Sequence, residues 1–319
     1  MNFPKLKIGR LNPKYPIIQG GMAIKVSMAR LASAVADQGG IGVIGGTALS
    51  VDKLKKEIKK AKDTTDGIIG VNIMYAASNF KKLLKTAVES GIDVVISGAG
   101  FSRDMFSVGK KADVPIVPIV SSVRLAKISE KLGVSAIVVE GSNAGGHLGT
   151  DEDVWDLIEK IKGKVSLPVI AAGDIVTPED VSEMFRAGLD GVQMGTRFLA
   201  SIESNVSRVF KKLCVESQKE DILTIMSSVG FPANALRSKF SELVKAGRAP
   251  EPEECDNCLK HCTKNFCIKK ALLRGRKGDK ERGIFFTGKG AWKIKEILSV
   301  ENIFKKIKNY TSKKSKVKI

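Results

Sequence analysis

The sequence lacks the features of a membrane or exported protein. No apolar run approaches the ~18 residues that a membrane span requires. The first residues, MNFPKLKIGRLNPKYP, contain no apolar signal core followed by a small-residue cleavage site. We therefore expect a cytoplasmic protein with no membrane partner. With 319 residues, 43% of them hydrophobic and 27% charged, the chain has the composition of a globular protein and the length of one large domain or two ordinary ones.

Histidine is also scarce, since the chain has only His147 and His261. His147 lies in the stretch EGSNAGGHLGT (residues 140–150) among four glycines, which leave an imidazole uncovered and allow a ligand to approach closely. A neutral imidazole with a pKa near ~6.5 can take or give a proton at physiological pH. His147 is therefore the candidate acid or base, and the alternative is a histidine that only caps a loop carbonyl.

The positive charge is concentrated near the C-terminus. Residues 255–319 contain 19 Lys and Arg against five Asp and Glu, a net +14 out of the +19 of the whole chain. A solvated, lysine-rich tail over residues 311–319 explains part of this excess. The other interpretation is docking of an anionic partner, such as an acidic acyl carrier protein or RNA.

Short runs rich in Val and Ile alternate with segments of helical period every ~25 residues, which is the rhythm of a parallel sheet covered by helices. Ser27 is a candidate helix cap, and Thr177, Pro178 and Asp180 form a second helix start. Eight such units predict a (β/α)8 TIM barrel, with an open doubly wound sheet as the alternative. The predicted strands cover residues 16–22, 41–46, 67–74, 94–100, 115–120, 136–141, 168–173 and 191–198.

We divide the chain into a barrel over residues 1–202, a cap over 203–310 and a basic tail over 311–319. Residues 203–248 are predicted to form helices. The whole cap is predicted to be mostly helical, to contain a cysteine-rich module and to cover the active site. Such caps exclude water and shape the substrate pocket.

Glycines cluster after six of the predicted strands, at the end of the barrel where active sites lie. The loops after strands seven and eight form the usual phosphate site of this fold, and Gly173, Gly195 and Thr196 occupy these places. Each glycine alone is explained by ordinary turn chemistry. Together they predict a phosphorylated cofactor, for which flavin mononucleotide (FMN) is the first candidate.

The motifs PIIQGGM, GVNIM, SGAG, EGSNAGGHLG, PVIAAGD and GVQMGTRF occur in the order seen in FMN-dependent nitronate monooxygenases, formerly 2-nitropropane dioxygenases, and in the related enoyl-[acyl-carrier-protein] reductase II. The chain resembles this family most over residues 10–200. The resemblance implies that His147 faces the flavin as acid or base. It also implies cofactor-binding roles for Gly21, Met22, Asn72, Glu140, Gly146, Gly173, Gln193, Met194, Gly195 and Thr196.

Two departures from the family pattern stand out. Asp174 occupies the place of the second glycine after strand seven, where its carboxylate would repel phosphate unless it points away. Thr287, Gly288 and Lys289 replace a common Ala-Gly-Gln near the flavin. The Lys289 cation either stabilises a reduced anionic flavin or faces solvent.

Four of the five cysteines, Cys255, Cys258, Cys262 and Cys267, form a C-x2-C-x3-C-x4-C run. Structural disulfides are not expected in a cytoplasmic chain, so these residues are candidate metal ligands. The compact spacing favours a 4Fe-4S cluster first, zinc second and no metal third. His261 is an alternative ligand, and Cys214 is expected to be a small buried hydrophobe.

The leading hypothesis is an FMN-dependent oxidoreductase that oxidises alkyl nitronates or nitroalkanes. The alternative is an NAD(P)H-dependent enoyl-[acyl-carrier-protein] reductase. Further alternatives are flavin-dependent RNA modification and a redox-sensing or electron-transfer module without its own substrate. NAD(P)H or an electron-donor protein is an expected partner of a redox-active form. The sequence leaves the substrate, the electron donor and a homodimeric state open.

Overall fold

The computed structural model describes residues 3–315 and contains a closed barrel of eight parallel strands. Pairing of Ile18 in the first strand with Gln193 in the last closes the barrel. The eight predicted strands and the TIM barrel are confirmed. The barrel strands are β1 (Ile17–Gln19), β2 (Ile41–Gly45), β3 (Ile68–Met74), β4 (Val94–Gly98), β5 (Ile116–Val120), β6 (Ile137–Glu140), β8 (Val169–Ala172) and β9 (Gly191–Met194), while β7 (Gly146–His147) lies outside the barrel.

Helices cover the outer face of the barrel and bury its aliphatic residues, as expected for parallel strands buried on both sides. The predicted start at Thr177 is confirmed: Thr177 and Asp180 form a capping box, with Pro178 in the first turn. The helices are α1 (Ala29–Asp37), α2 (Val51–Lys62), α3 (Phe80–Glu89), α4 (Arg103–Lys111), α5 (Val123–Lys131), α6 (Val154–Ile161), α7 (Pro178–Arg186) and the short α8 (Thr196–Leu199).

Ser27 does not cap α1, contrary to our prediction. The N-cap residue is Met28, which makes no side-chain capping bond. The Ser27 hydroxyl instead accepts a hydrogen bond from the Met22 backbone N–H at 2.8 Å, and the Glu57 carboxylate accepts one from Ala29 N–H at 3.0 Å. Ser27 therefore anchors the loop that carries Met22, while Glu57 satisfies an amide of the first helical turn.

The region after the barrel contains a small antiparallel sheet as well as helices. Our prediction of helices throughout residues 203–248 is wrong at the hairpin of strands β10 (Ile222–Met226) and β11 (Pro232–Leu236). The sequence ILTIM alternates between buried and exposed side chains in β10, which is the period of a strand. The elements are α9 (Arg208–Glu216), β10 (Ile222–Met226), β11 (Pro232–Leu236), α10 (Lys239–Lys245), α11 (Ile268–Lys277), β12 (Phe285–Phe286) and α12 (Val300–Ser315), with 3-10 turns at Lys219–Asp221 and Ala291–Lys293.

The C-terminal helix α12 returns to the barrel. Its Phe304 is fully buried in the same apolar cluster as Phe198, and Glu203 accepts hydrogen bonds from Val300 N–H at its start. Cys214 is fully buried in α9, as predicted. The domain boundaries remain a prediction, and the last part of the predicted tail, residues 316–319, lies outside the described residues. None of the helices between residues 3 and 315 has the length and apolar character of a membrane span.

Candidate active site

A cavity of about 560 Å³ opens at the carboxyl ends of the barrel strands. Loops from around the barrel form its floor, and residues of the hairpin, α11 and β12 form its roof. The predicted site residues Gly21, Met22, Asn72, Glu140, Gly146, His147, Gly173, Gln193, Gly195 and Thr196 all line it. Met194 does not line it, because its side chain is buried on the outer face of the barrel, between the strands and the helices.

Close packing explains two of the glycines at the carboxyl end of the barrel. A Cβ on Gly21 would lie 2.2 Å from Cβ of Asn72, and a Cβ on Gly45 would lie 2.0 Å from the Met22 carbonyl oxygen. Side chains at these positions would displace the residues that form the floor. Gly195 differs, because no atom lies within 4 Å of the position where its Cβ would be. Gly195 therefore leaves open space for a ligand.

Unusual backbone conformations cluster around the cavity. Ile24, Ala48, Ala99 and Asp174 line it and have positive φ angles of 56°, 65°, 53° and 53°. Such angles are uncommon outside glycine, cost of order 1–3 kcal/mol each and concentrate at functional sites. Their grouping supports this cavity as the active site. No sequence pattern indicated them.

His147 lies on β7, which pairs with the edge of β11 opposite Ala233. Its Nε2 atom lies 2.8 Å from the hydroxyl oxygen of Ser227, and its ring contacts Phe286 edge to face with a centroid distance of 5.3 Å. Burial lowers the pKa of His147 to about 4. The imidazole is therefore neutral at physiological pH, and the hydrogen bond to Ser227 orients it.

Glu140 ends strand β6 at the cavity wall, and its side chain forms no hydrogen bond or ion pair with the described residues. Burial raises the pKa of Glu140 to about 8. Its carboxyl group is therefore largely protonated at neutral pH and presents an O–H donor to the cavity.

Asn234 holds the loop between Glu140 and His147 and was not identified from the sequence. Its fully buried amide donates hydrogen bonds to the carbonyls of Ser142 and Ala144, both at 2.8 Å. The amide oxygen of Asn234 accepts a hydrogen bond from the Thr224 hydroxyl at 2.8 Å. The hairpin therefore fixes the glycine-rich loop. A single Asn in an unrecognised strand carried no sequence signal for this role.

The Asp174 carboxylate is directed at Lys293, whose Nζ atom lies 3.3 Å from Asp174 Oδ2 and 3.1 Å from Asp180 Oδ1. Burial raises the pKa of Asp174, and Lys293 opposes that shift. The cation thus offsets the negative charge that we expected to repel phosphate. Lys289, in contrast, has an exposed side chain and does not line the cavity.

Four cavity-lining residues have a buried polar atom without a protein partner, and two of these atoms are the acceptors Gln193 Oε1 and Thr287 Oγ1. A buried polar group without a partner costs about 1–3 kcal/mol, so ligand groups that hydrogen-bond to these atoms would be favoured. Gly195 adds open space beside them. This combination fits a large polar cofactor such as FMN, with Gln193, Thr287 and the loops at Gly173 and Gly195 as the residues that would hold it.

Residues 255–267, which carry four cysteines and are called the cysteine segment below, pack onto the rim of this cavity. Lys260 N–H donates to the Ala76 carbonyl at 2.9 Å, and the Lys260 ammonium lies 3.5 Å from the Tyr75 ring centroid. Cys258 lines the active-site cavity and also a second hollow of about 520 Å³, which Cys255, Cys262 and His261 line with it. Cys267 caps α11. Within residues 3–315, no three His, Cys, Asp or Glu side chains are grouped closely enough to hold a metal ion.

Helix α11 brings two cations to the cavity, and the sequence did not single them out. Lys269 and Arg276 line it together with Leu272, at positions that share one helix face. Lys269 pairs with Asp256 at 2.7 Å, whereas Arg276 Nη1 donates only to the Asn205 carbonyl at 3.2 Å and its buried Nε has no partner. The cavity roof can therefore bind an anion.

Comparison with known proteins is consistent with this geometry. Residues 5–309 match the family model described as nitronate monooxygenase. A probable nitronate monooxygenase from Staphylococcus aureus (strain Newman) is 30% identical over 277 residues, with 73% of this chain and 78% of that protein covered. A Mycobacterium tuberculosis protein, (3aS,4S,5R,7aS)-5-hydroxy-7a-methyl-1-oxo-octahydro-1H-indene-4-carboxyl-CoA dehydrogenase, is 28% identical over 237 residues, with 73% and 66% covered.

Two solved structures share the fold over nearly the whole chain. FabK from Thermotoga maritima superimposes with a TM-score of 0.86 at 33% identity, with 95% of this chain and 94% of that chain covered. Nitroalkane oxidase from Streptomyces ansochromogenes has a TM-score of 0.83 at 21% identity, with 95% and 97% covered, and it supports the fold alone.

Proposed function

The chain belongs to the nitronate monooxygenase family and is a flavin-dependent oxidoreductase; from this premise, we propose that it uses FMN to oxidise alkyl nitronates. One observation carries the proposal. The matched region encloses a cavity where His147, a protonated Glu140 and the unpaired Gln193 and Thr287 oxygens surround space left by Gly195. When bound, FMN supplies an isoalloxazine ring that accepts electrons from the substrate.

The residues around this space suit a substrate that is already an anion. Lys269 and Arg276 in the roof attract negative charge, and neutral groups at His147 and Glu140 do not repel it. A nitronate has already lost its carbon-bound proton, so its oxidation needs no strong base. Imidazole with a pKa of about 4 is a weak base, which disfavours neutral nitroalkanes as substrates.

The second candidate is NAD(P)H-dependent reduction of an enoyl thioester. The cationic face of α11 favours it, because the phosphates of acyl carrier protein, coenzyme A or NAD(P)H are strong acceptors for Lys and Arg. The 33% identity to FabK and the likeness to a carboxyl-CoA dehydrogenase agree with a substrate of this class. The basic C-terminal region would then attract an acidic carrier protein, or RNA in the third alternative.

A direct comparison of substrates separates these candidates. Oxygen uptake with an alkyl nitronate but not with the neutral nitroalkane is the expected result for the first candidate. Consumption of NADH or NADPH that depends on an enoyl thioester, without nitronate activity, would instead support the second candidate, the enoyl reductase. Gly195→Leu is the control, since it should remove flavin and abolish either activity. RNA that co-purifies and dissociates steeply with salt would point to the third alternative.

For the cysteine segment we infer an iron–sulfur cluster, with zinc as the second candidate. The C-x2-C-x3-C-x4-C spacing and the hollow lined by Cys255, Cys258 and Cys262 support this inference. The thiols must move closer to each other to ligate a metal. Asn257 and Lys264 lie between them with positive φ angles of 47° and 60°, so the loop conformation is strained and a rearrangement could relax it.

Metal analysis of the anaerobically purified protein tests the cluster. The double substitution Cys255→Ser and Cys258→Ser should remove bound iron while flavin stays, because neither thiol belongs to the barrel. Cys214→Ala is the matched control, since it removes a thiol far in sequence from the segment. Zinc in place of iron would select the second candidate, and equal metal content in wild type and the double variant would refute both.

A further inference from the structure

The hydroxyl of Ser227 has only one acceptor for its proton among the residues that the structure describes. Ser227 is almost fully buried at the start of the turn between β10 and β11. Its oxygen lies 2.8 Å from His147 Nε2, and it accepts a hydrogen bond from Val229 N–H at 3.3 Å. A serine hydroxyl has one proton to donate and two lone pairs to accept. Val229 uses one lone pair, so the remaining question is which partner supplies the proton between Ser227 and His147.

The hydrogen bonds of the pair are satisfied only when Ser227 supplies this proton. If His147 donated from Nε2, the buried Ser227 hydroxyl proton would have no acceptor, at a cost of about 1–3 kcal/mol. If Ser227 donates to Nε2 instead, both the Ser227 hydroxyl proton and the Nε2 lone pair are satisfied. A neutral imidazole carries a single N–H, which must then be on Nδ1.

The Nδ1 atom opens on the cavity. It makes no hydrogen bond within residues 3–315 and is not one of the enclosed unpaired atoms, while its ring lines the cavity wall. The pairing of β7 with β11 fixes the backbone, and the edge-to-face contact with Phe286 restricts the ring plane. The ring therefore presents one defined nitrogen to any bound substrate.

We propose that Ser227 holds His147 as the Nδ1–H tautomer and thereby makes it a hydrogen-bond donor, not a base, toward the cavity. Ser227 is thus a positioning residue for His147. An Nδ1–H group can stabilise negative charge on an oxygen atom, such as a nitronate oxygen or the oxygen of an enolate. It cannot abstract a proton, because the only free lone pair of the ring is engaged by Ser227.

The burial of His147 supports the same tautomer. Burial alone lowers the pKa of His147 to about 4, and no charged neighbour offsets this shift. The imidazole ring therefore stays neutral at physiological pH, where only a neutral ring has a tautomer. This inference goes beyond the proposed function, since the tautomer of His147 can be measured without any substrate. Nitronate oxidation could fail while the tautomer assignment stands, and the reverse also holds.

Nitrogen NMR of the FMN-saturated protein labelled with ¹⁵N-histidine tests the proposal. The chain has only two histidines, so the spectrum of His147→Ala assigns the other imidazole to His261. We expect a protonated, pyrrole-type Nδ1 and an unprotonated, pyridine-type Nε2 for His147. The opposite pattern for His147 in the wild type would overturn the proposal.

Two substitutions test the role of Ser227. In Ser227→Ala the two nitrogen shifts of His147 should move toward each other as the tautomers mix, and Ser227→Thr, which keeps the hydroxyl, should restore the separation. Flavin content confirms that each variant is folded. An unchanged spectrum in folded Ser227→Ala would show that Ser227 does not set the tautomer.

Discussion

Lys293 lies 3.3 Å from the carboxylate of Asp174, although 119 residues separate them in the sequence. Gly290 makes this approach possible, because a Cβ there would lie 1.8 Å from Asp174 Oδ1. Asp174 occupies the barrel position where a phosphate amide is expected, so its charge matters for cofactor binding. The ion pair allows this chain to carry an aspartate at that place.

Replacing Lys293 with Met should weaken FMN binding and destabilise the protein by about 1–3 kcal/mol, because a partly buried carboxylate loses its partner. Both effects should grow as pH rises, since Asp174 without Lys293 is then more fully ionised. Flavin fluorescence titration and thermal unfolding measure them.

The double variant Lys293→Met with Asp174→Asn is the control for this prediction. It removes the Asp174 charge beside the phosphate loop, leaves Asp180 without Lys293 as the single variant does, and should recover most of the FMN affinity lost in the single variant. Affinity that stays low in the double variant would mean that Lys293 acts on the cofactor directly and not through Asp174.

The barrel could be predicted from the sequence because its strands are buried on both faces. A strand such as β2, IGVIG, is a continuous apolar run, and the following glycine marks the turn into the site. Some cavity-lining glycines, such as Gly21 and Gly173, could be predicted for the same reason, since they follow a strand end. Met194 shows the limit of this reasoning. It lies in a predicted cofactor motif, but strand alternation turns its side chain into the core.

Contacts between distant segments could not be predicted. His147 meets Ser227 across 80 residues, and this contact exists only because β7 pairs with β11, a strand that we assigned to helix. The hairpin was missed because each of its strands has only five residues, and runs this short are ambiguous between helix and strand. Ser27 failed as a cap for a similar reason, since a tertiary bond to Met22 replaced the local one.

The substitution Gly195→Leu should lower flavin content while the fold survives. Gly195 has a φ of −96°, which any L-residue can adopt, and no atom lies within 4 Å of a Cβ there. The new side chain would therefore fill cofactor space without displacing protein atoms. Gly195→Ala should reduce flavin content less than Leu does. Absorbance of the purified variants and their circular dichroism are the measurements, and a folded Leu variant with full flavin would contradict our assignment of this loop.

The substitution Asn234→Ala should destabilise the protein and weaken FMN binding together. It leaves the buried carbonyls of Ser142 and Ala144 without partners, at about 1–3 kcal/mol for each, and frees the loop that carries His147. Chemical denaturation and flavin titration measure the two effects. Thr224→Val is the matched control, because it removes a bond to the same amide but leaves both carbonyls satisfied. Equal losses in the two variants would show that Asn234 does not support the loop in this way.

Glu140 should make the stability of the protein fall as pH rises. Its folded pKa of about 8 lies above the ordinary value of 4.5, so the folded state binds the proton more tightly than the unfolded state does. The stabilisation from the protonated carboxyl is fully present below about pH 4.5 and is lost as pH rises through about 8. Glu140→Gln mimics the protonated group at every pH and should not show this loss.

Thermal unfolding of wild type and Glu140→Gln at saturating FMN between pH 5 and pH 9 checks this prediction. The two proteins should differ little near pH 5, the variant should become progressively more stable than wild type as pH rises toward about 8, and the difference should level off above that. Glu89→Gln is the control, since Glu89 is a solvent-accessible helix residue with a long 3.7 Å pair to Lys85, and it should show no such divergence. A stability difference between Glu140→Gln and wild type that stays constant across the pH range would mean that Glu140 is ionised in the folded protein. The cavity would then hold a fixed negative charge, and it would repel the anionic substrates that the cations of α11 attract.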